Sequence, residues 1–264
     1  MQYTLKYPVL LVHGVGHRDD GRLKYWGRIP AALERQGAAV FCCGQDAWGT
    51  IEDNARFISR RVMDIAAETG RGKVNIIAHS KGGLDARRAI HMDGMEDMVA
   101  SLTTISTPHH GSKTIDAVCM TSNILLKTAA FFVNPFFRLA GDEKPDFYNA
   151  CRELTTQAAE RFNQTFVNSE KVYYQSYAAV MKNPLGDVSL SAQYAVVRVF
   201  DGDNDGIVSV KSAVWDGFRG VIGGDRPWGV SHVDVIDRRK ANFAGVDVCD
   251  LYVGIAADLK NMGF

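Results

Sequence analysis

The chain has 264 residues, 46% of them hydrophobic and 23% charged, with 30 Lys plus Arg set against 30 Asp plus Glu. That length suits one large α/β domain and is short for two, and the composition is that of a folded globular protein. A formal net charge of zero with no basic stripe argues against nucleic acid as a partner, because phosphate binding needs a cationic face.

The opening segment MQYTLKYPVLLVHG runs straight into an apolar strand, with no charged leader, apolar signal core or small-residue cleavage site. The expectation is a cytoplasmic protein or a mature secreted form. No stretch reaches the ~18 uninterrupted apolar residues of a membrane helix. The most apolar region, 124–140, is broken by Lys127, Asn134, Pro135 and Arg138. Cys42, Cys43, Cys119, Cys151 and Cys249 form neither a disulfide framework nor a zinc pattern. Reduced thiols are expected, with a Cys119–Cys151 bridge as the lesser alternative.

Apolar β-branched runs alternate with helical periodicity, the βαβα pattern of a parallel sheet covered on both faces. Residues 9–12 read as a first strand and 38–42 as a second, and Tyr25, Ile29, Ala32 and Leu33 mark one helical face between them. Thr50 is placed to cap a helix whose stripe is Ile51, Ala55, Ile58, Val62, Ile65 and Ala66, ending at Thr69-Gly70. Residues 74–78 and 102–106 read as central strands. From 115 to 150 the chain is apolar, aromatic and interrupted by prolines, as an insertion over the carboxyl edge of the sheet would be. Strands are expected again at 172–177 and 195–200, and a closing helix at 251–259.

The chemistry concentrates where the strand at 74–78 meets its helix, in KVNIIAHSKGGLDARR. Ala78-His79-Ser80-Lys81-Gly82 has small residues two positions before and after a serine. A nucleophile elbow, which turns sharply and crowds those two neighbours, needs that spacing. The alternative is a serine that merely caps a helix after a βα turn. Pro8 to Val15 ends a strand in a glycine turn, where an α/β-hydrolase supplies an oxyanion donor, so the N–H groups of Val15 and Lys81 are the expected pair. Chain order in that fold is serine, acid, histidine, and of the seven histidines only His232 follows every candidate acid. Asp201, Asp203 and Asp205 compete for the acid within DGDNDGIVS, a run without the spacing of an EF-hand calcium loop.

PVLLVHG, LKYWG (23–27), IIAHSKGG, TPHHG (107–111), NDGIVS (204–209) and SHVDVI (231–236) together resemble the true bacterial lipases of the α/β-hydrolase superfamily, most nearly the Bacillus and staphylococcal type. The motifs extend over nearly the whole chain. The resemblance implies an α/β-hydrolase fold, a mostly parallel sheet with helices on both faces and an inserted helical lid. It also implies hydrolysis of acylglycerol or other fatty acyl esters, with Ser80 as nucleophile, Asp205 as acid and His232 as base. His13 and His109 match family motif positions and would shape the pocket mouth. Leu125, Leu126, Phe131, Phe132, Val133, Phe136 and Phe137 would form either a cover that opens at a lipid surface or a fixed cap. An esterase of short soluble esters and a non-catalytic binding protein on the same fold are the competing functions.

Metals are where the likeness departs. Gly49 follows Trp48 where the thermophilic Bacillus lipases would have a zinc-binding aspartate, and no histidine lies between Phe41 and Asn75, so no zinc is expected. For calcium, the likeness points to Asp234 and Asp187 as ligands in one branch, and in another to position 239, where Arg239 cannot bind it. The competing arrangement is an ion pair between Asp234 and a nearby Arg or Lys.

Overall fold

The computed structural model describes residues 5–19, 24–121, 123–225, 227–240 and 247–264. In chain order the elements are β1 (Val9–Val12), α1 (Ile29–Arg35), β2 (Val40–Cys42), α2 (Ile51–Thr69), β3 (Val74–His79), α3 (Gly82–Ile90), α4 (Met95–Met98) and β4 (Val99–Ile105). They continue as α5 (Lys113–Thr121), α6 (Asn123–Leu139), α7 (Phe147–Arg152), α8 (Thr156–Thr165), β5 (Tyr173–Ala179), α9 (Ser191–Phe200), α10 (Val210–Ala213), β6 (Phe218–Ile222) and α11 (Val248–Asn261). The strands form one sheet in the order β2-β1-β3-β4-β5-β6, and each neighbouring pair is parallel.

Strand composition follows from that burial. Every residue of β1, β3 and β4 is buried, as expected where a parallel sheet is covered on both faces and its strands read as unbroken apolar runs. Alternate side chains serve opposite layers. Val9, Leu11, Ile77 and Ile105 pack with Ile29 and Leu33 of α1 and Tyr252, Ile255 and Leu259 of α11. Leu10, Val12, Ile76, Ala78 and Leu102 pack with the Ala55, Ile58, Val62 and Ile65 stripe of α2 and with Ala86 and Ile90 of α3. The Thr50 hydroxyl accepts the Asp53 N–H at 3.1 Å, and Gly70 ends α2 at φ 64°, so both expected helix signals operate.

The strand expected at 195–200 is instead part of α9. Tyr194 and Val197 are its buried positions and continue the stripe from Leu190 just before it, at spacings of four and three, while Val196, Val199 and Phe200 face solvent. A helical stripe therefore overrides the β-branched composition of AVVRVF. The place in the sheet goes to β6, whose FRGVI is half exposed at the edge and carries too little apolar signal to stand out.

The predicted insertion between β4 and β5 is helical and longer than expected, running through α5, α6, α7 and α8. Leu126 and Ala130 of α6 face inward, and Phe137 packs edge-on to Trp48 at 6.1 Å. Phe131, Phe136 and Leu139 are 74%, 65% and 90% exposed. Leu23 and the Leu125 side chain lie outside the described residues. Among the described residues no helix is long and apolar enough to cross a membrane. All five cysteines are free thiols, so Cys119 and Cys151 are not bridged.

Close approach at the β3–α3 turn leaves no room for side chains. A Cβ on Gly82 would lie 2.3 Å from the His13 carbonyl oxygen and 2.9 Å from that of Val12, both on backbone that cannot swing aside. Gly82→Ala is expected to lower unfolding free energy by about 1–3 kcal/mol, measured by urea denaturation. Wild-type stability in that variant would show that α3 and β1 can separate freely.

Candidate active site

Ser80 sits between β3 and α3 at φ 55°, a left-handed conformation that costs a non-glycine residue about 1–3 kcal/mol and persists only where surroundings enforce it. Here they do. The Ser80 N–H donates to the Ile105 carbonyl at 3.0 Å, and a Cβ on Gly14 would come within 2.6 Å of the Ser80 Cβ. Below the turn, Lys81 Nζ donates to Asp85 Oδ1 at 2.6 Å, and Asn54 Nδ2 to Asp85 Oδ2 at 2.9 Å, all three side chains being buried. Burial pushes the Asp85 carboxyl up, against the pull of Lys81. This buried cluster ties the elbow to α2.

The structure brings Ser80, His232 and Asp205 together across 152 and 27 positions of sequence. The Ser80 hydroxyl is 3.0 Å from His232 Nε2, and His232 Nδ1 is 2.8 Å from Asp205 Oδ2. Asp205 Oδ1 accepts from the N–H groups of Ile207 and Val208 at 3.1 and 2.8 Å, which leaves Oδ2 for the imidazole. The His232 N–H also donates to the Asp205 carbonyl at 2.8 Å, so the two loops hold each other through main chain as well. An imidazole donating from Nδ1 to a carboxylate presents a basic Nε2 to the hydroxyl, an arrangement able to take a proton from Ser80 as its oxygen becomes a nucleophile.

The competing aspartates are engaged elsewhere. Asp201 accepts the Lys113 and Thr114 N–H groups at 3.0 and 3.1 Å, at the start of α5, and Asp203 pairs with Arg198 on the surface. Val15 borders the same cavity as Ser80, and neither its N–H nor that of Lys81 has an acceptor among the described residues. His13 and His109, expected at the pocket mouth, are instead fully buried and do not line the cavity. His13 bonds the carbonyls of Gly14 and Gln45, and His109 stacks on Trp215. Both support the loops from behind.

Two contributors are legible in the sequence only in part. The Tyr25 hydroxyl accepts the Gly14 N–H at 2.9 Å and donates to His79 Nδ1 at 2.7 Å, and the His79 ring lies 4.4 Å from that of His232. Burial, together with the neighbouring His232, holds the His79 pKa well below its ordinary value, so this second imidazole stays neutral. Tyr25, read from the sequence as part of a helical face, lies before α1, which starts at Ile29. Arg239, dismissed as unable to bind calcium, occupies the expected metal position: it donates to Asp187 Oδ2 at 3.0 Å and to Asp234 Oδ1 at 3.1 Å. Asp187 and Asp234 do converge as expected, but a guanidinium engages the oxygens a cation would use, and calcium does not fit the site as arranged. Among the described residues no group of three or more His, Cys, Asp or Glu is placed to hold a metal.

A cavity of about 410 Å³ opens beside Ser80, walled by Val15, Pro108, Ile115, Leu154, Val197 and Ile207. Its size is that of a small-molecule site, and its walls suit a hydrocarbon.

A sequence model of palmitoyl protein thioesterases matches residues 8–183, more than half of the chain. Triacylglycerol lipase 2 of Saccharomyces cerevisiae is 29% identical over 262 residues, covering 92% of this chain and 75% of the yeast protein. A triacylglycerol lipase of Vibrio cholerae is 30% identical over 232 residues, covering 78% of this chain and 73% of its own length. The mature Bacillus licheniformis lipase BlEst2 shares the fold with a TM-score of 0.69 at 20% identity, over 95% of this chain and 91% of the other. The chain belongs to the palmitoyl protein thioesterase family and is a lipase-like serine ester hydrolase on the α/β-hydrolase fold.

Proposed function

We infer that the enzyme cleaves long-chain fatty acyl esters, with Ser80, His232 and Asp205 as its catalytic triad. The observation that carries this reading is the hydrogen-bonded chain from Ser80 through His232 to Asp205, set at the edge of an apolar cavity of about 410 Å³. Ser80 Oγ attacks the ester carbonyl as its proton passes to His232 Nε2, and Asp205 stabilises the imidazolium. The N–H groups of Val15 and Lys81, which lack other acceptors among the described residues, receive the oxyanion. Each such donor is worth about 3 kcal/mol in the transition state. Collapse expels the alcohol with the proton from His232, water then attacks the acyl-enzyme with His232 again as base, and the fatty acid leaves Ser80 free.

The exposed Phe131, Phe132 and Phe136 of α6 are more apolar surface than water readily tolerates in one place, and they support α6 as a lid that meets a lipid surface. A fixed cap is the second reading, and one set of contacts favours it. Asp142, just after α6, accepts the N–H groups of Ala47 and Trp48, both at 3.0 Å, and Asp46 accepts those of Glu143 and Lys144 at 2.8 and 2.6 Å. Those bonds pin the carboxyl end of α6 to the β2–α2 loop, so a moving lid would hinge there.

Hydrolysis of p-nitrophenyl esters from acetate to palmitate tests the reading. Burying a methylene is worth ~0.8 kcal/mol, so kcat/KM is expected to rise up to roughly fourfold per added CH₂ until the cavity is full. Ser80→Ala is expected to abolish turnover at every chain length. A profile confined to acetate and butyrate would favour the fixed cap, and turnover surviving in Ser80→Ala would remove the triad.

Ala192 stands exposed on α9 at the cavity wall. Ala192→Trp is expected to lower kcat/KM on palmitate at least about tenfold while leaving acetate within about threefold, since a bulky side chain excludes the chain and not the carbonyl. Equal losses on both esters would place the acyl group elsewhere.

A further inference from the structure

Two buried acids flank the loop that carries His232. Asp187 and Asp234 lie on either side of Ser231, the residue before His232, and both are almost fully buried. Ser231 Oγ donates to Asp187 Oδ2 at 2.8 Å, and the Asp234 N–H donates to Ser231 Oγ at 3.2 Å. Two carboxylates cannot share so dry a place without a positive charge. Arg239 provides it: Nη2 reaches Asp187 Oδ2 at 3.0 Å and the Gly186 carbonyl at 3.2 Å, while Nε reaches Asp234 Oδ1 at 3.1 Å. Asp234 Oδ2 is buried with no hydrogen-bond partner among the described residues.

We propose that Arg239 is a positioning residue for the reaction, a built-in cation that clamps Asp187 to Asp234 and thereby sets the His232 loop. This inference rests on His232 acting as the base. A guanidinium suits the task because it stays protonated and its rigid planar fork holds two carboxylates in a fixed geometry, which the rotating donors of an ammonium do not impose. The clamp acts on the base and not on the substrate. Asp187, Asp234 and Arg239 contribute nothing to the cavity wall, whereas Ser231 joins the clamp directly to His232, whose Nε2 must stay 3.0 Å from Ser80. Loosening the clamp therefore disturbs proton transfer more than ester binding. A displacement of about 1 Å between reacting groups is enough to cost on the order of 10²-fold in rate. Without the guanidinium, the oxygens of Asp187, Asp234 and Gly186 would form the all-oxygen donor set that a hard divalent cation prefers.

The experiment compares wild type, Arg239→Ala, Arg239→Lys and Ser80→Ala on p-nitrophenyl butyrate, in EDTA and in millimolar calcium chloride. Wild-type kcat is expected to be the same in both. Arg239→Ala should lose on the order of 10²-fold in kcat with KM within about twofold, and calcium should restore part of the loss in this variant alone. Arg239→Lys, which keeps the charge without the fork, should fall between. The low-field proton NMR signal of the His232 Nδ1–H should broaden in Arg239→Ala and sharpen on adding calcium. Wild-type activity lost to EDTA and recovered with calcium would overturn the proposal without requiring any variant to fold. So would Arg239→Ala with wild-type kcat, or one that stays folded and slow whatever cation is added. Turnover in Ser80→Ala would remove the triad itself, whereas a dead Ser80→Ala beside an undisturbed Arg239→Ala would remove only the clamp.

Discussion

The left-handed backbone of Ser80 is the constraint on which the rest of the structure depends. At φ 55° the residue resists its own conformation, and the turn exists because β1, β4 and α3 close on it from several sides. The glycines around it are one solution to one steric problem. A Cβ on Gly14 would strike Ser80, on Gly82 the β1 carbonyls, and on Gly83 the Thr107 side chain at 2.2 Å. The same tightness that forbids side chains brings Val15 to the cavity beside Ser80, and neither its N–H nor that of Lys81 meets an acceptor among the described residues.

Against Ser80 on its rigid turn, His232 and Asp205 return from far along the chain, and they arrive on loops. Polar contacts give those loops the fixity that the sheet gives Ser80. Asp205 takes two main-chain N–H groups on one oxygen and His232 on the other. Beyond His232, Arg28 bonds Asp237 through Nε and Nη2 at 2.9 and 2.7 Å, joining the loop to the start of α1. Asp237 is itself at φ 56°, and its carbonyl would lie 2.3 Å from a Cβ on Gly27. Arg239 grips the opposite side of the loop. Two arginines thus anchor the segment after His232, each satisfying carboxylates whose burial would otherwise be costly.

Legibility from sequence tracked how local the physics was. β1, β3 and β4 announced themselves because burial on both faces leaves nothing but apolar residues. Thr50 and Gly70 marked α2 because capping is chemistry between near neighbours. Ser80 and His232 were legible from motif and chain order, but three aspartates looked alike, and only the resemblance to lipases preferred Asp205. What separates them is tertiary: Asp201 faces the start of α5, Asp203 faces Arg198, and Asp205 alone turns inward. The error at 195–200 has the same source. AVVRVF satisfies strand composition, and only Leu190 and Tyr194, before the run, complete the stripe that makes it a helix. The contact of Tyr25 with His79 and that of Arg239 with Asp187 span 54 and 52 residues, beyond any periodicity, whereas the Arg239–Asp234 pair is local and matches the ion pair the sequence offers as the alternative to calcium.

That misread helix also links the interior of the site to its surface. Facing in, α9 gives Val197 to the cavity beside Ser80; facing out, it leaves Val199 and Phe200 in solvent. Helix α6 does the same on a larger scale, packing Leu126 and Ala130 inward and exposing Phe131, Phe132, Phe136 and Leu139. A protein with ample charge elsewhere could cover these faces with Lys and Glu at little cost to stability, since exposed positions tolerate either. Both helices instead keep apolar residues on their outer faces, and α9 does so while also walling the cavity beside Ser80.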